Sequence, residues 1–157
     1  MALNSGLRCE MESLSCPVPP FSLLLVEDEV IALEFLAIIL TRKYPDLALH
    51  TAINGRTGLE LFKTHLPDIA ITDINMPEMG GVQLIDKIRA IKPDTKIIVF
   101  TGASGKLPLK TSAGKGCNFD HFIMKPVVFQ ELFSAIEQCF GEIAHHGVVS
   151  ENGSQER

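Results

Sequence analysis

Four places in the chain carry side chains whose types could act together: Glu27-Asp28, Asp73, Thr101 and Lys125. Each lies at the end of an apolar run of strand length, and an acidic group at the end of a buried strand is costly unless its charge is used there. Three clustered carboxylates repel one another unless a cation joins them, and oxygen ligands with positions left for water suit Mg2+. In such a cluster a carboxylate oxygen of Asp73 could act as nucleophile toward a phosphoryl group. Lys125 could neutralise phosphoryl charge, and the Thr101 hydroxyl could donate a hydrogen bond to a phosphoryl oxygen, with Gly102 leaving room beside it. Each residue alone has a plainer explanation. Glu27-Asp28-Glu29 would be the acidic start of a helix, Asp73 a turn residue before Pro77, Thr101 a helix N-cap and Lys125-Pro126 a loop. That plainer account has to hold four separate times at four matching places, so the joint reading is the stronger one.

Such a cluster needs an architecture that brings four strand ends to one edge. Residues 21–26 form an apolar run broken only by Ser22, which fits a strand buried on both faces. A helix is expected over 29–43, with Pro45 preventing extension and Ala32, Phe35, Leu36, Ile39 and Leu40 as its core stripe. A short strand over 47–52 follows, then the turn or cap Asn54-Gly55 and a helix with Leu59, Phe62 and Leu66 inward, closed by Pro67. Residues 69–72 form the strand that delivers Asp73. After Gly80-Gly81, a helix is striped by Val82, Leu84, Ile85, Ile88 and Ile91 and ended by Pro93. Residues 96–100 form a fourth strand ending at Thr101, and 119–124 a fifth ending at Lys125-Pro126. Between them, 102–116 is irregular, and a helix over 106–113 has poor propensity. Phe129, Leu132, Phe133, Ile136 and Phe140 mark the last helix. Strands and helices alternating five times imply an open parallel sheet with helices on both faces, whose ligand site lies beyond the carboxyl ends of the strands.

The chain of 157 residues has room for one domain with a real core, and its 46% hydrophobic content excludes a disordered protein. Residues 1–20, with Pro17-Val18-Pro19-Pro20, read as a disordered N-terminal tail, 21–140 as the domain, and 141–157 as a polar C-terminal tail. A net charge of −5 and no long basic run give nucleic-acid binding little support, and Lys106, Lys110 and Lys115 read as a solvated face. Glu27, Asp28, Glu29 and Glu34 interrupt the most apolar window, so a membrane span is not expected. Cys9, Cys16, Cys117 and Cys139 show neither zinc spacing nor a CxxC pair, and read as reduced thiols of a cytoplasmic protein.

The motifs together resemble the receiver domain of two-component response regulators over about residues 21–140. Glu27-Asp28-Glu29 resembles its acidic metal-binding pair. Asp73-Ile74-Asn75-Met76-Pro77-Glu78-Met79-Gly80-Gly81 resembles its phosphoacceptor motif. Thr101-Gly102-Ala103 resembles the switch threonine with its small neighbours, and Phe122-Ile123-Met124-Lys125-Pro126 the switch aromatic, lysine and proline. The resemblance implies an α/β, flavodoxin-like, doubly wound parallel sheet of five strands in order 2-1-3-4-5 with five helices. It implies Mg2+ held by Asp28, Asp73 and the Asn75 backbone carbonyl, with Glu27 assisting. It implies phosphotransfer to Asp73 from a phosphohistidine of a histidine kinase or histidine phosphotransfer protein, a cis Lys125–Pro126 bond, and a switch through Thr101 and Phe122 that alters binding of an output protein. On this reading the chain is a phosphoacceptor rather than an enzyme, capable only of self-phosphorylation and slow self-dephosphorylation. Three features depart from the family pattern: Phe122 has no hydroxyl, the stretch 116–125 is about two residues longer than usual, and the preceding segment carries Gly105, Pro108 and Gly114.

Other readings fit less well. An aspartyl phosphohydrolase needs a second acid where Asn75 stands, and a flavodoxin needs a phosphate loop where Glu27-Asp28-Glu29 would repel phosphate. A degenerate receiver would not retain Asp28, Asp73, Thr101 and Lys125. The stretch after Phe140 is too short for a DNA-binding output domain, which leaves either a stand-alone receiver, like those of chemotaxis, or a domain of a longer protein. Val30, Leu33 and Ala37 form a second apolar line on the first helix. They are either scattered surface hydrophobes or a docking or homodimer face.

Overall fold

The computed structural model describes residues 21–102 and 118–155, with side chains described through residue 145. Five strands, β1 (Ser22–Val26), β2 (Ala48–Ala52), β3 (Ile69–Asp73), β4 (Lys96–Thr101) and β5 (His121–Met124), form one parallel sheet in the order β2-β1-β3-β4-β5. The helices among the described residues are α1 (Val30–Lys43), α2 (Gly55–His65), α3 (Gly81–Ile91) and α4 (Phe129–Gln155). The helix expected over 106–113 lies outside the described residues, as do the N-terminal tail and Cys9, Cys16 and Cys117.

Strand periodicity sorts the core into two layers, because alternate side chains point to opposite faces. Leu23 and Leu25 of β1, Ile69 and Ile71 of β3, and Ile98 and Phe100 of β4 pack with α1 and α4. Leu24 and Val26, Ala70, and Ile97 and Val99 pack on the other face with Phe62 of α2 and Leu84, Ile85 and Ile88 of α3. Both faces are covered, which is why β1, β3 and β4 read as continuous apolar runs. Fully burying each such Leu, Ile or Val contributes roughly 1.5–3 kcal/mol.

The register places the site. Val26 pairs with Ala52 on one side and Thr72 on the other, Asp73 pairs with Phe100, and Thr101 pairs with Met124. The residues that follow or end β1, β3, β4 and β5 therefore share one edge.

Three expectations need correction. Helix α1 turns Leu33, Leu36 and Leu40 inward and leaves Phe35 55% exposed, so Leu33, at 6% exposure, is core rather than part of an outward Val30–Leu33–Ala37 line. The exposed apolar arc instead runs through Val30, Ile31, Phe35 and Ile38, with Ile31 83% exposed. The cause lies in the sequence of α1, which is apolar nearly all round from Val30 to Leu40; periodicity alone does not choose its buried arc, and docking on the sheet does. Leu66 is not an inward residue of α2 but its left-handed C-cap (φ 48°), nearly half exposed. Helix α4 does not stop at Phe140 but continues to Gln155, and Ile143 still packs against the core.

Aromatic contacts hold α4 to the start of the sheet. Phe21 stacks on Phe140 with ring centroids 4.3 Å apart, and Tyr44 meets Phe133 and Phe140 edge-on. The Tyr44 hydroxyl donates to Glu137 Oε2 at 2.8 Å. Burial, with that carboxylate beside it, raises the Tyr44 phenol above its usual value. No helix among the described residues is long and apolar enough to cross a membrane.

Candidate phosphoacceptor site

Glu27 leaves β1 almost fully buried (1% exposed), and its Oε2 accepts from the Glu29 backbone N–H at 3.4 Å. Glu29 is the N-cap of α1, so the turn after β1 directs Glu27 inward and leaves Asp28 half-buried beside it. Asp73 is buried at the end of β3, and its Oδ1 accepts from the Asn75 backbone N–H at 3.3 Å. The loop that follows passes through Glu78 in the left-handed region (φ 65°), then returns so that Gly81 N–H donates to the Ile74 carbonyl at 2.9 Å. A Cβ at Gly81 would run into the Asp73 carbonyl oxygen, so this close return admits only glycine.

Lys125 reaches across from the end of β5. Its Nζ donates to Asp73 Oδ2 at 2.6 Å and to Glu27 Oε1 at 3.0 Å. The Lys125–Pro126 bond is cis, as the resemblance implied, and the Lys125 backbone N–H donates to the Thr101 carbonyl at 2.7 Å. Thr101 is buried (2% exposed) next to Gly102, around whose absent side chain no atom of the described residues lies within 4 Å. Phe122 is half exposed and meets Phe119 edge-on, with ring centroids 6.2 Å apart.

Burial holds the Glu27 carboxyl above its ordinary value; Lys125 and the Glu29 N–H oppose this, and Asp73 adds to it. For Lys125, burial alone would lower the ammonium, but hydrogen bonds to Asp73 and Glu27, with their charges, outweigh it and hold the group above its ordinary value. Among the described residues a single lysine thus faces a cluster that carries more negative charge than it can neutralise.

Oxygens of Glu27, Asp28 and Asp73 lie within 4.8 Å of one another. An all-carboxylate donor set with one member open to solvent fits a hard divalent cation such as Mg2+, which keeps part of its water shell. The structure thus brings Glu27, Asp28, Asp73 and Lys125 together. Thr101 stands at the same edge, and Asn75 meets Asp73 through its N–H.

A second cluster had no signal in the sequence. His121, Cys139 and Glu142 come together at the opposite end of β5. Cys139 and Glu142 are one helical turn apart, but nothing local pairs that turn with the first residue of β5.

The family model for the response regulator receiver domain matches residues 23–137. The chain is 39% identical over 103 residues to the chemotaxis protein CheY of Thermotoga maritima, covering 66% of this chain and 83% of that protein. It is 32% identical over 129 residues to the uncharacterized transcriptional regulatory protein YesN of Bacillus subtilis, and 33% identical over 125 residues to the transcriptional regulatory protein GlrR of Escherichia coli. It spans 34% and 27% of the length of those two. Among solved structures, the N-terminal domain of an uncharacterized protein from Wolinella succinogenes aligns with a TM-score of 0.69 at 30% identity, covering 81% of this chain and 98% of that one. A response regulator receiver domain protein from Clostridium thermocellum aligns with a TM-score of 0.68 at 26% identity, covering 79% and 97%. The chain belongs to the response regulator receiver domain family.

Proposed function

We propose that this chain accepts a phosphoryl group on Asp73 in a Mg2+-dependent step and responds by changing its binding to another protein. The observation that carries this reading is the Asp73 carboxylate at the carboxyl edge of the sheet, 2.6 Å from the Lys125 ammonium and grouped with Glu27 and Asp28. An Asp73 oxygen forms the O–P bond as the N–P bond of a phosphohistidine breaks, and the departing imidazole keeps the electron pair. Bound at Asp28 and Asp73, with Glu27 assisting and the Asn75 carbonyl as a further ligand, Mg2+ would neutralise charge on the carboxylates and the phosphoryl oxygens. Lys125 is already positioned to pair with a phosphoryl oxygen once Asp73 is esterified, and the Thr101 hydroxyl supplies a second donor.

Those new contacts bias two packings of Thr101 and Phe122, and the half-exposed Phe122 is the aromatic that moves inward. The donor is a phosphohistidine on a histidine kinase or phosphotransfer protein, and the output is a protein partner. The chain modifies only its own side chain and slowly loses the group again, so it is a phosphoacceptor rather than an enzyme with an external substrate. The setting is cytoplasmic, in keeping with cysteines that lack a disulfide pattern.

Intact mass after incubation with Mg2+ and a small acyl phosphate tests the chemistry, beside Asp73→Asn and an EDTA control. One added phosphoryl group, absent in both controls, is expected. No addition from either the acyl phosphate or a phosphohistidine donor overturns the reading.

A further inference from the structure

We propose that His121, Cys139 and Glu142 form a zinc site at the end of the sheet opposite Asp73, where the metal ties the start of β5 to α4. The three side chains each offer a ligand atom, and these atoms lie within 4.8 Å of one another. His121 Nε2 is shielded from solvent and has no hydrogen-bond partner among the described residues; Glu142 Oε1 stands 4.0 Å away, beyond hydrogen-bond reach. Cys139 is a free, fully buried cysteine. Zinc–ligand bonds of ~2.0–2.3 Å place neighbouring ligand atoms of such a tetrahedral site roughly 3.3–3.5 Å apart, so the cluster has to contract by up to about 1.5 Å.

The donor set selects the metal. One imidazole nitrogen, one thiolate and one carboxylate match zinc and mismatch Mg2+, which takes oxygen ligands. Cysteine and glutamate as anions with a neutral histidine make the zinc-bound cluster electrically neutral. Glu142 is half exposed on a groove it shares with Lys96, Asp120 and His145, which provides an entry path and a place for water as the fourth ligand. Lys96 Nζ now lies 3.4 Å from Glu142 Oε1, but Asp120 Oδ1, 3.9 Å from the same ammonium, can take it over when a cation binds.

Burial, with Asp120 and Glu142 nearby, pushes the Cys139 thiol up to about 12. Metal binding therefore displaces its proton, and proton release accompanies loading.

The test uses the full chain with Cys9, Cys16 and Cys117 replaced by serine, which leaves Cys139 as the only thiol. Excess Mg2+ occupies the carboxylate site around Asp73, and Co2+ serves as a spectroscopic probe for zinc. A thiolate-to-cobalt charge-transfer band is expected, abolished by Zn2+ and accompanied by release of one proton per metal ion. His121→Gln and Cys139→Ala should remove the band. Glu142→Gln, a surface change that spares the fold, should weaken binding by roughly tenfold or more. Absence of the band in the folded triple-serine protein overturns the proposal, as does a band that folded His121→Gln and Glu142→Gln leave unchanged.

Discussion

Replacing Lys125 by methionine keeps much of the side-chain volume and removes the one ammonium hydrogen-bonded to both Glu27 and Asp73 among the described residues. Two charge-assisted hydrogen bonds are lost, and two buried carboxylates are left facing each other. Breaking a buried pair from one side costs about 3–5 kcal/mol, but the Lys125 side chain is 27% exposed, and water replaces part of what it gave. A loss of about 2–4 kcal/mol near neutral pH follows. With a urea slope of ~1.5 kcal/mol/M, the unfolding midpoint drops by roughly 1–3 M.

The loss should depend on pH. Burial raises the folded Glu27 carboxyl above its ordinary 4.5, so the folded state binds the proton first, and acidification through that window favours folding. Without Lys125 the same carboxyl rises further and protonates earlier, which relieves the repulsion. Lys125 itself, raised above 10.5, contributes fully below that value and loses its contribution only at higher pH, so its own titration does not enter. Urea unfolding followed by circular dichroism at about pH 7 and about pH 5 should show the gap between wild type and Lys125→Met narrowing on acidification. Added Mg2+ should narrow it at neutral pH. A variant as stable as wild type near neutrality, or a gap equal at both pH values, refutes the electrostatic account of this site.

Leu33→Ala should cost about 2–5 kcal/mol in urea unfolding, because Leu33 belongs to the core and leaves a cavity. Ile31→Asp, at the most exposed position of the same helix, should change stability by under ~0.5 kcal/mol while slowing transfer from a phosphohistidine protein and sparing transfer from a small acyl phosphate; equal slowing of both donors argues against a docking role. Gly81→Ala should lower stability by roughly 1–3 kcal/mol and impair phosphorylation, since its Cβ displaces the Asp73 carbonyl; thermal melting and intact mass read the two effects. His50 is lowered from its ordinary 6.5 by burial and by His65, which stacks on it at 3.9 Å. The unfolded chain therefore binds that proton first, stability falls as pH drops below about 6.5, and His50→Gln should flatten that limb of a stability–pH curve.

Several features of this protein are written locally in the chain. Strand runs such as Ile69–Asp73 are recognisable because burial on both faces demands continuous apolar residues, and Asp73 stands out because it ends one. Asn54 reads as a cap because its side chain can take an early helical N–H, and it accepts from Thr57 at 2.8 Å. Glu27, Asp28, Thr101 and Lys125 were legible for the same reason, since parallel strands in one sheet must end at one edge. The rotation of α1 was not legible. Its apolar residues circle the helix, so the choice of Leu33 over Phe35 as core rests on packing with β1, β3 and α4, the last two far away in sequence. The length of α4 is not written locally either, because residues past Phe140 are largely polar, although Ile143 still reaches the core. The meeting of His121 with Cys139 and Glu142 also belongs to the tertiary structure. Spacing along a chain fixes which residues share a strand edge or a helix face, but which of those faces meet depends on the packing of all the elements at once.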